Sequence, residues 1–124
     1  MAPLGWETMK TIIAGSRGIH DYSLVVDAIE KSGFSITEVV SGGALGPDTL
    51  GELWGHRNDI PVKRFPAQWS QYGKAAGLLR NREMAEYADA AIVVWDGESR
   101  GSRNMIAEAR KRGLKVYVHR EEPQ

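Results

Sequence analysis

The feature that most constrains the fold of this chain is a regular alternation of short β-branched runs with segments of helical periodicity. Strands are predicted over residues 10–14, 37–41, 61–65, 90–95 and 115–119. Helices are predicted between Asp21 and Gly33, from Pro47 onward, over 74–87 and over about 102–112. Strands that alternate with helices favour a parallel sheet, because each helix carries the chain back across one face. We therefore predict an α/β fold: a Rossmann-like three-layer domain whose five-stranded parallel sheet has helices on both faces and strand order 3-2-1-4-5.

The apolar positions indicate which faces are buried. Segment 90–95 is apolar on both faces, which is typical of a central parallel strand. Helical spacing in the last helix predicts that Met105, Ile106 and Ala109 point inward. The corresponding apolar positions in the two middle helices are Leu50, Leu53 and Trp54 in one, and Ala75, Leu78 and Leu79 in the other.

Length and composition predict one domain over residues 9–120, with loose ends at 1–8 and 121–124. The chain has 124 residues, of which 42% are hydrophobic and 26% charged, close to the globular average. It has no cysteine, no apolar run of the roughly 18 residues that a membrane span needs, and no basic start followed by an apolar stretch. We therefore expect a cytoplasmic protein that does not associate with a membrane.

The net charge and the spacing of the histidines indicate which kinds of ligand the chain is suited to bind. The formal net charge is zero, whereas a duplex-binding protein usually has a basic excess, and the basic run at 110–112 is typical of a solvated helix end. His20, His56 and His119 lack metal-ligand spacing, so we expect no metal site and no bound cofactor. A small anionic ligand fits this chain better than duplex nucleic acid.

Three glycine-bearing loops, at 15–18, 41–48 and 96–102, each follow a predicted strand and lead toward a helix. Glycine lets the backbone approach a ligand, and the start of a helix offers N–H groups to an anion. The predicted strand order brings these loops together outside the carboxyl ends of the strands, at the switch point of the sheet. The sequence therefore predicts one cleft for a phosphate-bearing molecule.

These loops and the third helix contain the predicted ligand-binding residues. They are Gly15, Ser16, Arg17, Ser41, Gly42, Gly43, Gly46, Asp48, Arg80, Asn81, Asp96, Ser99, Gly101 and Ser102. Arginine suits phosphate because its donors bind bidentately, although Arg17 paired with Asp21 on the surface is the alternative. Arg80 and Arg82 point in different directions along the helix, so only one of them is expected to serve the cleft.

Several of these positions also have a structural interpretation. Asp48 either contacts a ribose, acts as an acid or base, or simply favours the helix dipole from the first turn. Ser102 is a natural helix N-cap as well as an anion contact. Trp69 and Tyr72, in the irregular stretch 66–73, either stack on a base or pack over a core edge or a dimer contact, and we favour the latter.

Five short motifs stand out along the chain: Ser41-Gly42-Gly43-Ala44 with Gly46 and Asp48; Phe65-Pro66-Ala67 with Trp69; Tyr72-Gly73-Lys74-Ala75-Ala76-Gly77; Arg80-Asn81 with Met84; and Asp96-Gly97 with Ser99 and Gly101. Over roughly residues 10–119 the chain resembles the YspA-like branch of the SLOG superfamily. That superfamily includes the LOG phosphoribohydrolases, the single-strand-binding protein DprA and domains thought to sense nucleotide-derived signals.

The resemblance to LOG enzymes implies catalytic residues only in part. Their Arg-Lys-x-x-Met motif, whose arginine is catalytic, matches Arg80 and Met84. Their catalytic glutamate, in Pro-Gly-Gly-x-Gly-Thr-x-x-Glu, falls on Met105, whose thioether cannot act as a base or nucleophile. Asp48, Asp96 or Glu98 is then the candidate to replace it.

The residues and the resemblance together predict a domain that binds a nucleotide or a nucleotide-derived ligand (AMP, ADP-ribose or NAD-like). An N-glycosidase or phosphoribohydrolase acting on nucleoside monophosphates is the alternative, and a DprA-like association with single-stranded DNA is a third. A homo-oligomer is expected, because relatives often form dimers and Trp54, Trp69 and Leu79 are predicted to expose apolar surface.

Overall fold

The strands of the computed structural model, which describes residues 8–121, form one parallel sheet. They are β1 (Lys10–Gly15), β2 (Glu38–Ser41), β3 (Val62–Arg64), β4 (Ala90–Trp95) and β5 (Lys115–Arg120). The helices are α1 (Tyr22–Ser32), α2 (Pro47–Arg57), α3 (Trp69–Tyr72), α4 (Ala76–Tyr87) and α5 (Arg100–Lys111), with a 3₁₀ turn at Gly73–Ala75. The order β3-β2-β1-β4-β5 confirms the predicted Rossmann-like topology.

The two central strands supply both cores of the three-layer arrangement, because successive side chains of a strand point to opposite faces. On β1, Ile12 packs with α4 and α5, whereas Ile13 packs with α1 and α2. On β4, Val93 and Ile92 divide in the same way. This burial on both faces explains why segment 90–95 is continuously apolar, as the sequence predicted.

Helix α5 buries the three side chains predicted to point inward, but it begins earlier than predicted. Its N-cap is Ser99, whose side chain accepts a hydrogen bond from the N–H of Ser102, so the assignment of Ser102 as the cap was wrong. The early start of α5 is explained by the turn that precedes it. Asp96 Oδ1 accepts hydrogen bonds from the N–H groups of Glu98 and Ser99, both at 2.8 Å, and this tight turn starts the helix within the loop.

The buried residues of helix α2 are small or polar, and its predicted apolar face is buried only in part. Leu50 and Trp54 pack partly buried against the core, whereas Leu53 is 37% exposed. A Cβ on Gly51 would lie 2.6 Å from Ile13 Cγ2, so this glycine is what allows the helix backbone to approach β1 so closely. The same face buries two carboxylates, Asp48 and Glu52, which the apolar pattern could not indicate.

In helix α4, the three apolar side chains noted in the sequence are not the ones that the fold buries most. Ala75 lies in the preceding 3₁₀ turn and is exposed, Leu78 is 53% exposed, and Leu79 is half-buried. The buried side chains of the helix are instead Ala76, Asn81, Met84 and Ala85. The stretch expected to be irregular contains the short helix α3, which packs against the start of α4.

The predicted loose ends, apart from residues 8 and 121, lie outside the described residues. Thr8 donates a hydrogen bond to Asp89, and the N–H of Glu121 donates to the carbonyl of Trp95. Within residues 8–121 no helix is long and apolar enough to cross a membrane. Of the side chains expected to expose apolar surface, Trp69 does so, while Trp54 and Leu79 are partly buried, and the homo-oligomer stays a prediction.

Candidate functional site

The carboxyl ends of β1 and β4 open into a cavity of about 430 Å³. Ten of the predicted ligand-binding residues line it: Gly15, Ser16, Arg17, Asp48, Arg80, Asn81, Asp96, Ser99, Gly101 and Ser102. Its other lining residues are Ala14, Gly18, Ala44, Met84 and Met105. The convergence of the glycine loops, predicted from the strand order, therefore places most of the expected residues around one volume.

The loop after β1 is fastened to the loop after β4. The N–H of Ser16 donates to the carbonyl of Val94 at 3.0 Å, and Ser16 Oγ accepts from the N–H of Asp96 at 3.0 Å. A Cβ on Gly15 would lie 2.1 Å from the Val94 carbonyl oxygen, so only glycine fits at this junction. Arg17 follows in an exposed position. Asp21 caps α1 through the N–H of Ser23, and within residues 8–121 it forms no ion pair with Arg17.

The amino end of α5 presents backbone N–H groups and a hydroxyl to the cavity. Gly101 lies in its first turn, and a Cβ there would contact nothing within 4 Å, so this side of the helix is open. Ser102 is buried at 4% exposure, yet its hydroxyl has no hydrogen-bond partner within the described part of the chain. An unpartnered buried hydroxyl at a helix amino end is a ready donor for an anion.

Arg80 and Asn81 connect the loops after β2 and β4 across the cavity. Arg80 Nη1 donates to the Gly42 carbonyl at 2.7 Å, and Arg80 Nε donates to Asn81 Oδ1 at 3.0 Å. Asn81 Nδ2 in turn donates to the Gly101 carbonyl at 3.3 Å and to Asn104 Oδ1 at 2.9 Å. Arg82, two residues later, is exposed and lines neither this cavity nor the adjoining one, as its direction on the helix predicted.

Asp48 is a nearly fully buried carboxyl on the wall of the cavity. Its Oδ2 accepts a hydrogen bond from the N–H of Gly42 at 3.1 Å. Burial raises the pKa of Asp48 to about 6, although the Arg80 guanidinium and the backbone of Ala44, Gly42 and Gly15 act to lower it. The carboxyl can therefore exchange a proton near neutral pH, as an acid or base must.

Asp96 has a different environment from Asp48. The hydrogen bonds from the backbone of Ser99 and Glu98 lower its pKa, so it stays an ionised acceptor. Its hydrogen bonds close the turn before α5, which is a structural use of the carboxylate. Asp48 is thus better suited than Asp96 to proton transfer at this site.

A second cavity of about 230 Å³ adjoins the first, and Arg17, Ala44 and Arg80 line both. It holds two further predicted residues, Gly42 and Gly43. The sequence did not identify Arg64, Pro66 and Ala67 as lining residues, and it left the role of Trp69 open. The available signal was the strand order, because β3 neighbours β2 and its carboxyl end opens toward the same edge.

Ser41 and Gly46 line neither cavity. Ser41 is fully buried, and its hydroxyl donates to Glu52 Oε2 at 2.6 Å. Gly46 has φ 85°, and a Cβ there would lie 2.8 Å from the carbonyl oxygen of Ser16. Both residues therefore hold the loop after β2 in place rather than face the cleft.

Two methionines on the cavity wall were missed as lining residues, although helical spacing contained the signal. Met84 lies three residues after Asn81, and Met105 three residues after Ser102, so each pair shares a helix face. Met105, which falls where LOG enzymes have their glutamate, is 1% exposed. No cluster of three or more metal-ligating side chains is found among residues 8–121.

Three comparisons with known proteins bear on this arrangement. A model of the family described as YAcAr (YspA, cpYpsA-related SLOG family) matches residues 9–72. The Gene 61 protein of Mycobacterium phage D29 is 34% identical over 124 residues, covering 92% of this chain and 98% of that protein. DNA processing protein A (DprA) from Streptococcus pneumoniae has a similar fold, with a TM-score of 0.71 at 20% identity.

The likeness to DprA covers 90% of this chain but only 50% of that protein, and at this identity it concerns the fold alone. The family model matches about half of the chain, over the region that contains the first two glycine loops. The phage protein aligns over nearly the full length of both sequences. The chain therefore belongs to the YspA, cpYpsA-related SLOG family.

Proposed function

We propose that the cleft binds a nucleotide or a nucleotide-derived molecule, such as AMP, ADP-ribose or an NAD-like compound, through its phosphate. The observation that carries the proposal is the meeting of Arg17 and Arg80 with the amino end of α5 around one cavity. Guanidinium groups and helix amino ends both bind phosphate well, and here both line the same cavity.

Arg17 and Arg80 are close enough for their positive charges to interact, which suits them to bind one anion together. Burial lowers the pKa of Arg80, Asp48 opposes this, and the positive charge of Arg17 lowers it further. Arg17 makes no hydrogen bond or ion pair with any residue from 8 to 121. Arg80 uses two of its five N–H donors on Gly42 and Asn81, which leaves three for a ligand. A phosphate between these cations would relieve their mutual repulsion.

The first prediction concerns these arginines. Arg17→Ala should weaken binding of AMP or ADP-ribose about 10- to 100-fold, because it removes charged hydrogen bonds to the phosphate. Its thermal stability without ligand should not fall, since Arg17 has no hydrogen-bond or ion-pair partner among residues 8–121 and its charge repels that of Arg80. Arg82→Ala is the matched control, being an exposed arginine outside both cavities.

Calorimetry and thermal shift with inorganic phosphate, AMP, ADP-ribose, NAD and cyclic nucleotides provide the measurement. Saturating ligand at about a hundred times its Kd should stabilise the wild-type protein by about 2.7 kcal/mol. Absence of binding to every phosphate-bearing compound would refute the proposal. Equal affinities of the Arg17→Ala and Arg82→Ala proteins would place the phosphate elsewhere.

A second candidate function, hydrolysis of an N-glycosidic bond, is favoured by Asp48. Hydrolysis requires a group that activates water and a proton donor for the departing base, and the raised pKa of Asp48 suits either role near neutral pH. The test is release of free base from nucleoside monophosphates, measured by chromatography. Turnover that is lost in Asp48→Asn supports an enzyme, whereas tight binding without turnover leaves a binding domain.

A further inference from the structure

The second cavity differs from the first in charge and in the kind of side chain that faces it. Its own arginine, Arg64, forms an ion pair with Glu52, and Arg64 Nε also donates to Glu52 Oε2 at 3.1 Å. The arginines of the first cavity have no such direct ion pair among residues 8–121. Arg17 and Arg80 line both cavities, but the amino end of α5 and the hydroxyl of Ser102, unpartnered among residues 8–121, line the first alone. The phosphate therefore suits the first cavity, and the second can receive a neutral group.

Trp69 is the single aromatic side chain among the described residues that line the two cavities. It is 53% exposed and belongs to neither hydrophobic core, so part of its indole is available to a ligand. Large flat side chains exposed at a cavity wall are the usual platforms on which nucleobases stack.

The indole ring of Trp69 packs against the first turn of α4. A Cβ on Gly77, in the first turn of α4, would lie 3.4 Å from Trp69 Cη2, so α4 offers the ring a surface without a side chain. Elsewhere in the lining, the aliphatic stem of Arg64 lies close to Gly43, where a Cβ would be 3.4 Å from Arg64 Cδ. The cavity is thus lined by a supported aromatic side chain and by small residues.

We propose that the second cavity is a base subsite, in which a flat nitrogenous ring stacks on Trp69 while the phosphate of the same ligand lies by Arg17 and Arg80. This inference rests on the proposed nucleotide binding and adds to it the residue that selects for a base. Because both arginines line both cavities, one ligand can extend from the phosphate site into the subsite without leaving the cleft.

The test compares two probes, AMP and ribose 5-phosphate, which differ by the base. Trp69→Ala should weaken AMP binding about tenfold and leave ribose 5-phosphate binding unchanged. Trp69→Phe, which keeps an aromatic face, should retain most of the AMP affinity. Tyr72→Ala is the matched control, because Tyr72 is 46% exposed on the same short helix and lines neither cavity.

The outcomes separate this inference from the proposed function. If Trp69→Ala leaves AMP affinity unchanged, or weakens both probes equally, the base subsite is refuted while phosphate binding stands. If wild-type protein binds neither probe, the proposed function fails first and the subsite with it. If Trp69→Ala instead changes the sedimentation of the protein, or abolishes salt-dependent binding of single-stranded oligonucleotide with no effect on AMP, then Trp69 serves another partner and the inference is wrong.

Discussion

Asp48 and Glu52 are two buried carboxylates one turn apart on α2, and they have opposite electrostatic environments. Glu52 accepts hydrogen bonds from Ser41 and Arg64, and together these partners outweigh burial and lower its pKa. Asp48 has no direct ion pair within the described residues, and burial raises its pKa to about 6 in spite of the nearby charge of Arg80. The two side chains share a helix, a face and a chemical group, so the difference lies in their partners.

The two carboxylates differ in whether their partners account for their burial. Glu52 connects α2 to the end of β2 and to β3 through partners that satisfy its charge. Asp48 keeps a charge in a buried position where neutral packing would be more favourable, and it does so on the wall of a cavity. Unfavourable burial of a titratable group is a common mark of a binding or catalytic site.

The largest effect on stability is expected at Glu52. Glu52→Gln should lower the free energy of unfolding by about 2 kcal/mol, because the carboxamide has no charge and only one acceptor oxygen. That oxygen can still accept from Ser41 and Arg64 Nε, which share Glu52 Oε2, but the N–H₂ group then faces the donor Arg64 Nη2. Because Arg64 is well exposed, solvent screens part of this loss. Urea denaturation at pH 7 provides the measurement.

Ser41→Ala tests the contribution of the buried partner of Glu52 separately from that of the exposed partner, Arg64. It removes the buried donor while leaving the ion pair intact, and it should cause about 1 kcal/mol of destabilisation. If Glu52→Gln is as stable as the wild type, Glu52 is not a structural carboxylate and the contrast with Asp48 fails.

Asp48→Asn should have the opposite sign, raising the free energy of unfolding by about 1–2 kcal/mol at pH 8. The pKa of about 6 in the folded protein lies above the ordinary aspartate value of 3.8, so the folded protein binds the proton more tightly than the unfolded chain does. The wild-type penalty is therefore absent below about pH 3.8, grows as pH rises to about 6, and stays constant above it. The difference in free energy of unfolding between Asp48→Asn and the wild type should therefore grow between about pH 3.8 and pH 6.

Thermal denaturation of both proteins from pH 4 to 8 measures this gap. The binding proposal adds that Asp48→Asn should bind the nucleotide less well or lose turnover, so that stability and function change in opposite directions. A variant less stable than the wild type at pH 8 would show that Asp48 is fully compensated, like Glu52, and would remove the argument for its special role.

The sequence predicted the sheet well, because strand and helix periodicities are local and the crossover rule then limits the topology. It was right only in part at α2, where Leu50 and Trp54 pack against the core but Leu53 is exposed. This is because the contact with the sheet also depends on how closely Gly51 lets the helix approach Ile13. The spacing of Gly51 and Gly55, one turn apart, was the available signal of a close helix face.

The sequence could predict a lining residue of the candidate site where the position of its loop is enough to bring it to the cavity, as for Gly15 and Gly101. It could not do so where the direction of the side chain determines whether the residue faces the cavity. Ser41 lies in a glycine loop that contributes to the cleft, yet its hydroxyl turns inward to Glu52, which only the folded chain reveals. The raised pKa of Asp48 depends likewise on burial produced by distant residues.

The smallest change in stability, and the sharpest probe of the Asp48 side of the comparison, is Gly42→Ala. A Cβ on Gly42 would lie 2.4 Å from Arg80 Nη1 and 2.9 Å from Asp48 Oδ2, so both charged groups have to shift. Arg80 can move outward as a flexible side chain, and a reduced unfolded-state entropy offsets the lost contact, so we expect less than about 1 kcal/mol of destabilisation.

The nucleotide affinity of Gly42→Ala should nevertheless fall about tenfold or more, because Arg80 leaves its place between the cavities. Gly18→Ala is the control for stability alone, since its Cβ would contact nothing within 4 Å, and it is left out of the affinity comparison because Gly18 lines the first cavity. Calorimetry of AMP binding by Gly42→Ala and the wild type decides the matter: if the two bind AMP equally, the position of Arg80 against Gly42 and Asp48 is not what binds the phosphate.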